Sequence, residues 1–326
     1  MTFTLGLRLP NSGPFASAEA AVAVAEHAEE AGFDTVWVHD HISWSRDKLT
    51  HFATGSIEAC RDQDPNFMES ITSIAFLAGR LRRIRVGIAG LVLPLRDARV
   101  LAKQLATLER YSGSRMTIIV AVGNVQDDFR VMGTRWDRRG RITNDTLAAL
   151  RAILGGPQPV SFESKTLSFD SGTFFPQPAR LPIWVAATSE PGMERAVRDA
   201  DGWLTAYRSV DEFASMFAAL KAIAAARGRD LTGYGVGYET YACVAETRER
   251  AVEVSRRSLE QPPFKTIERG LEVALVGSPG DVVSRIKGYR DAGASHVELK
   301  LIAHDLASVH AQIDLLSREV LPAFSR

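Results

Sequence analysis

One unit recurs along this chain of 326 residues: an alanine-rich amphipathic helix, a small-residue stop containing glycine, then a short apolar strand. Ala18 to Glu30 has helical apolar spacing, Ala31-Gly32 stops it, and Thr35 to Val38 reads as strand. Ile71 to Gly79 precedes Ile84 to Val92. Val100 to Tyr111, closed by Ser112-Gly113, leads into Met116 to Val122. Near the far end, Val282 to Asp291 is closed by Ala292-Gly293 and gives Val297 to Ile302. Glycine just past a helix end takes the left-handed conformation that residues with a Cβ resist. The strands RVGIAGLVL, TIIVAV and PIWVAA are near-continuous apolar runs, the pattern of parallel strands buried on both faces. With TLGLRL (4–9), GWLTA (202–206) and GVGYETYACV (235–244) they number eight. Eight β/α units in a chain of this length predict a single (β/α)8 barrel over 1–326, an α/β fold with no second domain.

Two stretches interrupt the repeat. Residues 43–66 follow the second strand, and residues 157–180 lie within GGPQPVSFESKTLSFDSGTFFPQPARLP, rich in Pro, Gly and Ser. In the latter, VSFES and LSFDS alternate like the arms of a small hairpin. Excursions this long in a compact barrel are more often functional insertions than linkers. Both are expected at the C-terminal face of the barrel, where this architecture builds its ligand pocket, with 157–180 packed over that rim.

Charge narrows the range of partners. Lys+Arg and Asp+Glu balance at 39 each, with a pI near 7.1, so no basic field exists to recruit nucleic acid or anionic lipid. The basic patch Arg80-Leu-Arg-Arg-Ile-Arg85 ends a helix, where cations are favourable and solvated. The two cysteines, Cys60 and Cys243, form no CxxC pair, so neither a disulfide framework nor a zinc knuckle is implied. No apolar run reaches the roughly 18 residues of a membrane span, and the N-terminus has no signal-peptide pattern. The expectation is a soluble, cytoplasmic protein with a small-molecule substrate.

The stretch VWVHDHISW, Val36 to Trp44, carries a strand directly into His39-Asp40-His41. Two imidazoles around a carboxylate fit a metal site, a proton relay beside a cofactor, or ordinary strand-end polarity. A barrel metal centre needs further ligands from other strand ends. Those ends read VAATSE, TAYRS and AVGNV, without histidine; His51 lies in a loop, and His304-Asp305 is the only other pair. No metal is therefore expected. The strand ends Ala121-Val-Gly-Asn-Val and Ala186-Ala-Thr-Ser-Glu are small and polar, and the second opens a helix. Small residues let a ligand approach the backbone, and free N–H groups at a helix start suit phosphate, although short turns need such residues for steric reasons too. Ala89-Gly90 inside an apolar strand marks a bulge, a close ligand contact or tight barrel packing.

Five segments together, AGFDTVWVHDH, RIRVGIAGLVLPLRDARVLAKQLATLERYSGSR, AVGNVQDDFRVMGTRWDRRGR, LPIWVAATSEPGMERAVRDADGWL and GSPGDVVSRIKGYRDAGASHVELKL, resemble the luciferase-like monooxygenase superfamily from Leu5 to Pro322. The resemblance implies a (β/α)8 barrel that binds FMN or the 5-deazaflavin coenzyme F420 at its C-terminal face. It also implies a non-prolyl cis peptide at Ala89-Gly90 whose bulge backs the ring. Flavin-dependent luciferases resemble Glu-His-His at the opening motif. Asp40-His41 is instead similar to the F420-dependent branch, with His41 as proton donor or acceptor and Asp40 lining the cofactor pocket. From the small polar strand ends, Thr188 and Ser189 are expected to take the cofactor phosphate, with Gly123 and Asn124 lining the approach and Ala187 also against the cofactor. Gln126 falls where sugar-phosphate dehydrogenases of that branch have a catalytic glutamate, which argues against glucose 6-phosphate as substrate; it and Trp44 would face the substrate.

These readings lead to an F420-dependent oxidoreductase moving a hydride to or from a carbonyl, imine or activated alkene, expected as a homodimer. The alternative is a two-component FMN monooxygenase supplied with reduced flavin by a separate reductase. A barrel that binds a flavin-like molecule without turnover is the third class.

Overall fold

Helix boundaries follow local chemistry. The Ser17 Oγ accepts from the Ala20 amide at 3.1 Å, and Gly32, at φ 91°, turns its N–H back onto the Ala28 and Glu29 carbonyls. Ser209 with Glu212 and Ser278 with Asp281 form reciprocal capping boxes at two later helix starts, each satisfying two otherwise orphaned backbone donors. The protein is described here by a computed structural model covering residues 2–13, 15–43, 66–261 and 263–324.

The strands are β1 (Thr4–Arg8), β2 (Thr35–Val38), β3 (Arg85–Val92), β4 (Met116–Ala121), β5 (Val160–Glu163), β6 (Ser168–Gly172), β7 (Ile183–Ala186), β8 (Gly202–Ala206), β9 (Gly235–Val244), β10 (Leu275–Gly277) and β11 (His296–Leu301). The described helices are α1 (Ala18–Ala31), α2 (Ser70–Arg80), α3 (Ala98–Tyr111), α4 (Gln126–Val131), α5 (Arg139–Gly155), α6 (Glu190–Asp199), α7 (Val210–Ala226), α8 (Arg248–Leu259), α9 (Ile267–Val273), α10 (Pro279–Asp291) and α11 (Leu306–Glu319). The main sheet runs β10-β9-β11-β1-β2-β3-β4-β7-β8 and closes through β8 against β9. Without β10, which pairs only the far end of β9, the remaining eight strands form a parallel (β/α)8 barrel, as expected. The short β10 itself was not anticipated from the sequence.

The pleat divides two cores. Leu5, Leu7, Val36, Val38, Val86 and Ile88 point outward into the layer beneath the helices. Trp37, Ala89, Ile119 and Leu204 point inward, with Trp184 and Ala186 against them. Two tryptophans fill barrel space that glycines leave. A Cβ on Gly87 would lie 2.2 Å from the Trp37 ring, and one on Gly235 would lie 2.1 Å from Trp184. The interior is apolar on the β2–β8 side and ionic where β1, β9 and β11 meet.

Residues 157–180 do form the expected hairpin, β5 against β6, but its base does not lie over the C-terminal rim. Gln177 Nε2 donates to the Ile153 and Gly156 carbonyls at 3.1 Å, and the Arg180 amide donates to Glu109 at 3.0 Å. These partners are the C-terminal ends of α5 and α3, at the opposite, N-terminal face of the barrel. The reason is topological: the excursion follows a helix rather than a strand, so the chain has already returned to that face. The other expected insertion, 43–66, begins after β2, and its residues 44–65, including Trp44, lie outside the described residues.

Candidate active site

The C-terminal ends of β2, β3, β4 and β7, four consecutive staves of the barrel, carry the residues that the sequence singles out. After β2 the chain is clamped by a residue the sequence reading missed. Asn11, buried beyond the end of β1, accepts from the His39 amide and donates to the His39 carbonyl, both at 3.0 Å. That two-point grip fixes the backbone from which Asp40 and His41 diverge.

Asp40 faces inward to the protein. Its fully buried carboxylate accepts from the Ser70 hydroxyl and the Val92 amide at 2.8 Å each, and pairs with Arg96. It thereby ties the end of β2 to α2 and to the end of β3. His39 lies beside Phe67, ring centroids 6.2 Å apart. Burial, then the nearby charges of Arg8 and Lys300, pushes its imidazole well below the usual histidine range, so it is neutral.

His41 turns the other way. Its Nδ1 lies 2.9 Å from Asp128 Oδ2, and Asp128 Oδ1 accepts from the Ser43 amide at 2.7 Å. A carboxylate can only accept, so the proton of this hydrogen bond sits on His41 Nδ1, which leaves Nε2 as the nitrogen that can give or take a proton. Phe67 packs edge-on against the ring at 5.2 Å. Asp128 is buried in the first turn of α4, two residues past Gln126. The sequence reading passed over it, although the acidic pair Asp127-Asp128 at a helix start was a visible signal. Gln126 itself is exposed.

The Ala89-Gly90 peptide is cis, as the resemblance implied. The β3–β4 register slips there, Ala89 facing Ile119 and Leu91 facing Val120, which makes Gly90 the extra residue of a bulge. A Cβ on Gly90 would come 2.9 Å from the Ala121 Cβ and 3.7 Å from that of Ala186. Three strand ends thus converge with only small groups between them. Gly123 has φ 82°, and a Cβ there would press on Phe129 and Val92 at 2.7–2.8 Å. Only glycine makes this turn, which swings α4 so that Asp128 meets His41. Asn124 is exposed beside it. Just past β7, the Ala187 carbonyl accepts from Trp203 Nε1 at 2.9 Å. Thr188 and Ser189 are exposed, and Ser189 caps α6 without a side-chain hydrogen bond, so the first amides of that helix carry no cap of their own.

Beneath these residues lies an ionic cluster that periodicity could not reveal. Arg8 pairs with Glu239 at 2.9 Å and with Glu298, Lys300 pairs with Glu239, and the Tyr207 hydroxyl accepts from Lys300 at 2.5 Å. Burial, with Glu239 adding repulsion and Arg8 opposing it, pushes Glu298 up to about 7. Against the same burial, Lys300 and Arg8 hold Glu239 below the usual carboxylate range. Among the described residues, no group of three or more His, Cys, Asp or Glu is placed to hold a metal, and no helix is long and apolar enough to cross a membrane.

This geometry has relatives. The model of the luciferase-like monooxygenase family matches residues 2–265. An F420-dependent hydroxymycolic acid dehydrogenase of Mycobacterium tuberculosis is 26% identical over 294 residues, 84% of this chain and 76% of its own. An FMNH2-dependent dimethylsulfone monooxygenase of Pseudomonas putida is 25% identical over 295 residues, 79% of this chain and 78% of its own. The structure of an F420-dependent secondary alcohol dehydrogenase, in complex with an F420-acetone adduct, superposes with a TM-score of 0.83, covering 100% of both chains at 16% identity. With its barrel, its cis bulge and a family match over most of its length, the chain belongs to the luciferase-like monooxygenase family.

Proposed function

We propose that this protein is a coenzyme F420-dependent oxidoreductase acting on a small carbonyl, imine or activated alkene, with His41 moving the proton that accompanies the hydride. The observation that carries the reading is the His41–Asp128 pair, an imidazole of defined tautomer at the mouth of the barrel. When bound, the deazaflavin supplies a hydride carrier with little oxygen reactivity, because carbon replaces the flavin N5. The chain supplies the rest. The Ala89-Gly90 bulge, with Ala121 and Ala186, backs the ring, while Thr188 and Ser189 take the phosphate, Gly123 and Asn124 line its approach, and Ala187 lies against the cofactor. Asp40 serves the pocket by anchoring its wall. Gln126 faces the substrate. His41 gives a proton to the anion that develops on a reduced substrate, or takes one from an alcohol being oxidised. The dehydrogenase relative supports the F420 choice.

The dimethylsulfone monooxygenase relative favours a second reading, a two-component enzyme receiving reduced FMN from a separate reductase. Binding of FMN and F420 measured side by side on cofactor-stripped protein separates the two. Tighter F420 binding supports the first; FMN binding with no F420 binding overturns it. A protein that binds either and turns over nothing would belong to the non-catalytic class.

A further inference from the structure

On the outside of the barrel, α1 and α11 pack against each other, beside the seam where the first strand, β1, pairs with the last, β11. Their interface is apolar at its centre, with Val24, Ala25 and Ala28 from α1 and Val309 and Ile313 from α11 buried. Its margin carries a polar trio that the candidate site does not use. His27 Nδ1 lies 2.7 Å from His310 Nδ1, with the two rings stacked at 4.9 Å between centroids. His27 Nε2 lies 2.8 Å from Asp314 Oδ1. Beyond them the Ser317 hydroxyl donates to the Ala31 carbonyl at 2.8 Å. The spacing places His27 and Ala31 on one face of α1, and His310, Asp314 and Ser317 on one face of α11.

Proton counting limits what this trio tolerates. A carboxylate only accepts, so His27 Nε2 carries a proton. A hydrogen bond between the two Nδ1 atoms holds a single proton, on one ring or the other. The contact is therefore satisfied with both rings neutral or with one charged. With both charged, two N–H donors and two like charges face each other, and the contact breaks. Burial, then His27, pushes the His310 imidazole below its ordinary value of 6.5, against the pull of Asp314. The folded pair thus refuses a proton that the unfolded chain accepts, so its stabilisation is complete above about 6.5 and is lost as pH falls. Neighbouring charges have other partners or stand clear. Glu26 of α1 pairs with Arg80 of α2 at 3.3 Å, and Arg290 of α10 pairs with Asp291 at 3.3 Å. Arg318, one turn past Asp314, lies 4.0 Å from Glu246 and 3.8 Å from Glu319. Glu30 is exposed. We propose that His27, His310 and Asp314 form a pH-sensitive clasp, which holds α1 to α11 while the imidazole pair shares one proton and releases them when both rings are charged. It acts where the first and last β/α units close the ring, and it is independent of the cofactor reading.

The test is amide hydrogen exchange at about pH 7 and about pH 5, either side of the ordinary histidine range. It is run on the wild type and on His310→Gln, whose side-chain amide can donate to His27 Nδ1 but does not titrate. Rates are corrected for the intrinsic effect of pH, and α5 serves as the internal reference for general loosening, to which the buried His296 also contributes. In the wild type, the second half of α1 and the middle of α11 should exchange about 5–10-fold faster at the lower pH relative to α5, the range for one lost hydrogen bond with a like-charge contact added. In His310→Gln that excess should be absent. A wild-type seam that merely follows α5, or an excess that survives in the variant, overturns the clasp. The ring NMR signals of the wild type give a reading that needs no variant. His27 and His310 should take up protons in two separated steps, and independent titration of both rings at one pH overturns the clasp as well.

Discussion

Asp128 holds His41 through Nδ1 at 2.9 Å from the far side of the β3 bulge, although 87 positions separate the two residues in sequence. The same carboxylate fixes the Ser43 amide at 2.7 Å, so one buried side chain sets both the tautomer of the imidazole and the start of the loop that follows it.

The first prediction concerns that contact. In Asp128→Asn the amide presents either a donor or an acceptor to Nδ1, and the neutral ring is no longer confined to one tautomer. Turnover should fall by roughly tenfold or more, a part of the 10²–10⁴-fold that a complete acid–base group contributes. Affinity for the cofactor should change little. Steady-state rates alongside a cofactor titration check this, and unaltered turnover would remove Asp128 from the proton-transfer machinery.

The two histidines should behave differently. His41→Ala should lower turnover by about 10²–10⁴-fold with nearly normal cofactor binding. His39, neutral and beside Phe67, should cost much less when replaced by alanine. Rates measured again after exhaustive chelation should be unchanged. Activity that vanishes on chelation, or a His41→Ala enzyme that turns over normally, would end the proton-transfer assignment.

Thr188→Asp sets a carboxylate against the proposed phosphate position at the start of α6. A like-charge contact there is worth about 1–4 kcal/mol, so cofactor should bind about tenfold more weakly or worse, with the thermal stability of the cofactor-free protein unchanged. Equal affinity in the titration would move the phosphate elsewhere.

Stability should depend on pH through His296, on the barrel floor. Its Nε2 accepts from Trp37 Nε1 at 3.1 Å, and its Nδ1 lies 2.8 Å from the Thr4 hydroxyl. Burial, then Arg85, pushes it down to about 3 from an ordinary value of 6.5. The unfolded chain therefore takes up a proton below 6.5 that the folded protein refuses until about 3. This contribution is complete above 6.5 and is lost progressively as pH falls toward 3. Between about pH 7 and about pH 5 the loss is about 2 kcal/mol. Glu298 acts with the opposite sign: its contribution is complete below 4.5 and lost as pH rises through about 7. It is present in both proteins of the comparison. Urea unfolding at the two pH values should show His296→Gln losing about 2 kcal/mol less than wild type over that interval. An identical pH dependence would mean that His296 is charged in the fold.

Barrel strands, helix stops and the bulge position are all written in short windows of sequence. Each arises from a local cause: apolar runs for strands buried on both faces, Ser17 and Gly32 for the limits of α1, and a strand-interior Ala89-Gly90 for the register slip. Those causes act over a few residues, so a reader of the sequence meets them in order. The partners of His41 and His39 are different. Asp128 reaches His41 because Gly123 turns the chain after β4, and Asn11 grips His39 because β1 and β2 are neighbours in the sheet. Nor does any periodicity announce that Arg8, Glu239, Glu298 and Lys300 point into one barrel; each looks like an ordinary charged residue in an apolar strand. The face on which the 157–180 hairpin starts likewise depends on which way the preceding helix runs. The sequence by itself determined the staves and their order, because backbone hydrogen bonding and side-chain period are local. Only the closed barrel decided which polar groups meet at its mouth and in its core, because those contacts join residues that only ring closure brings together.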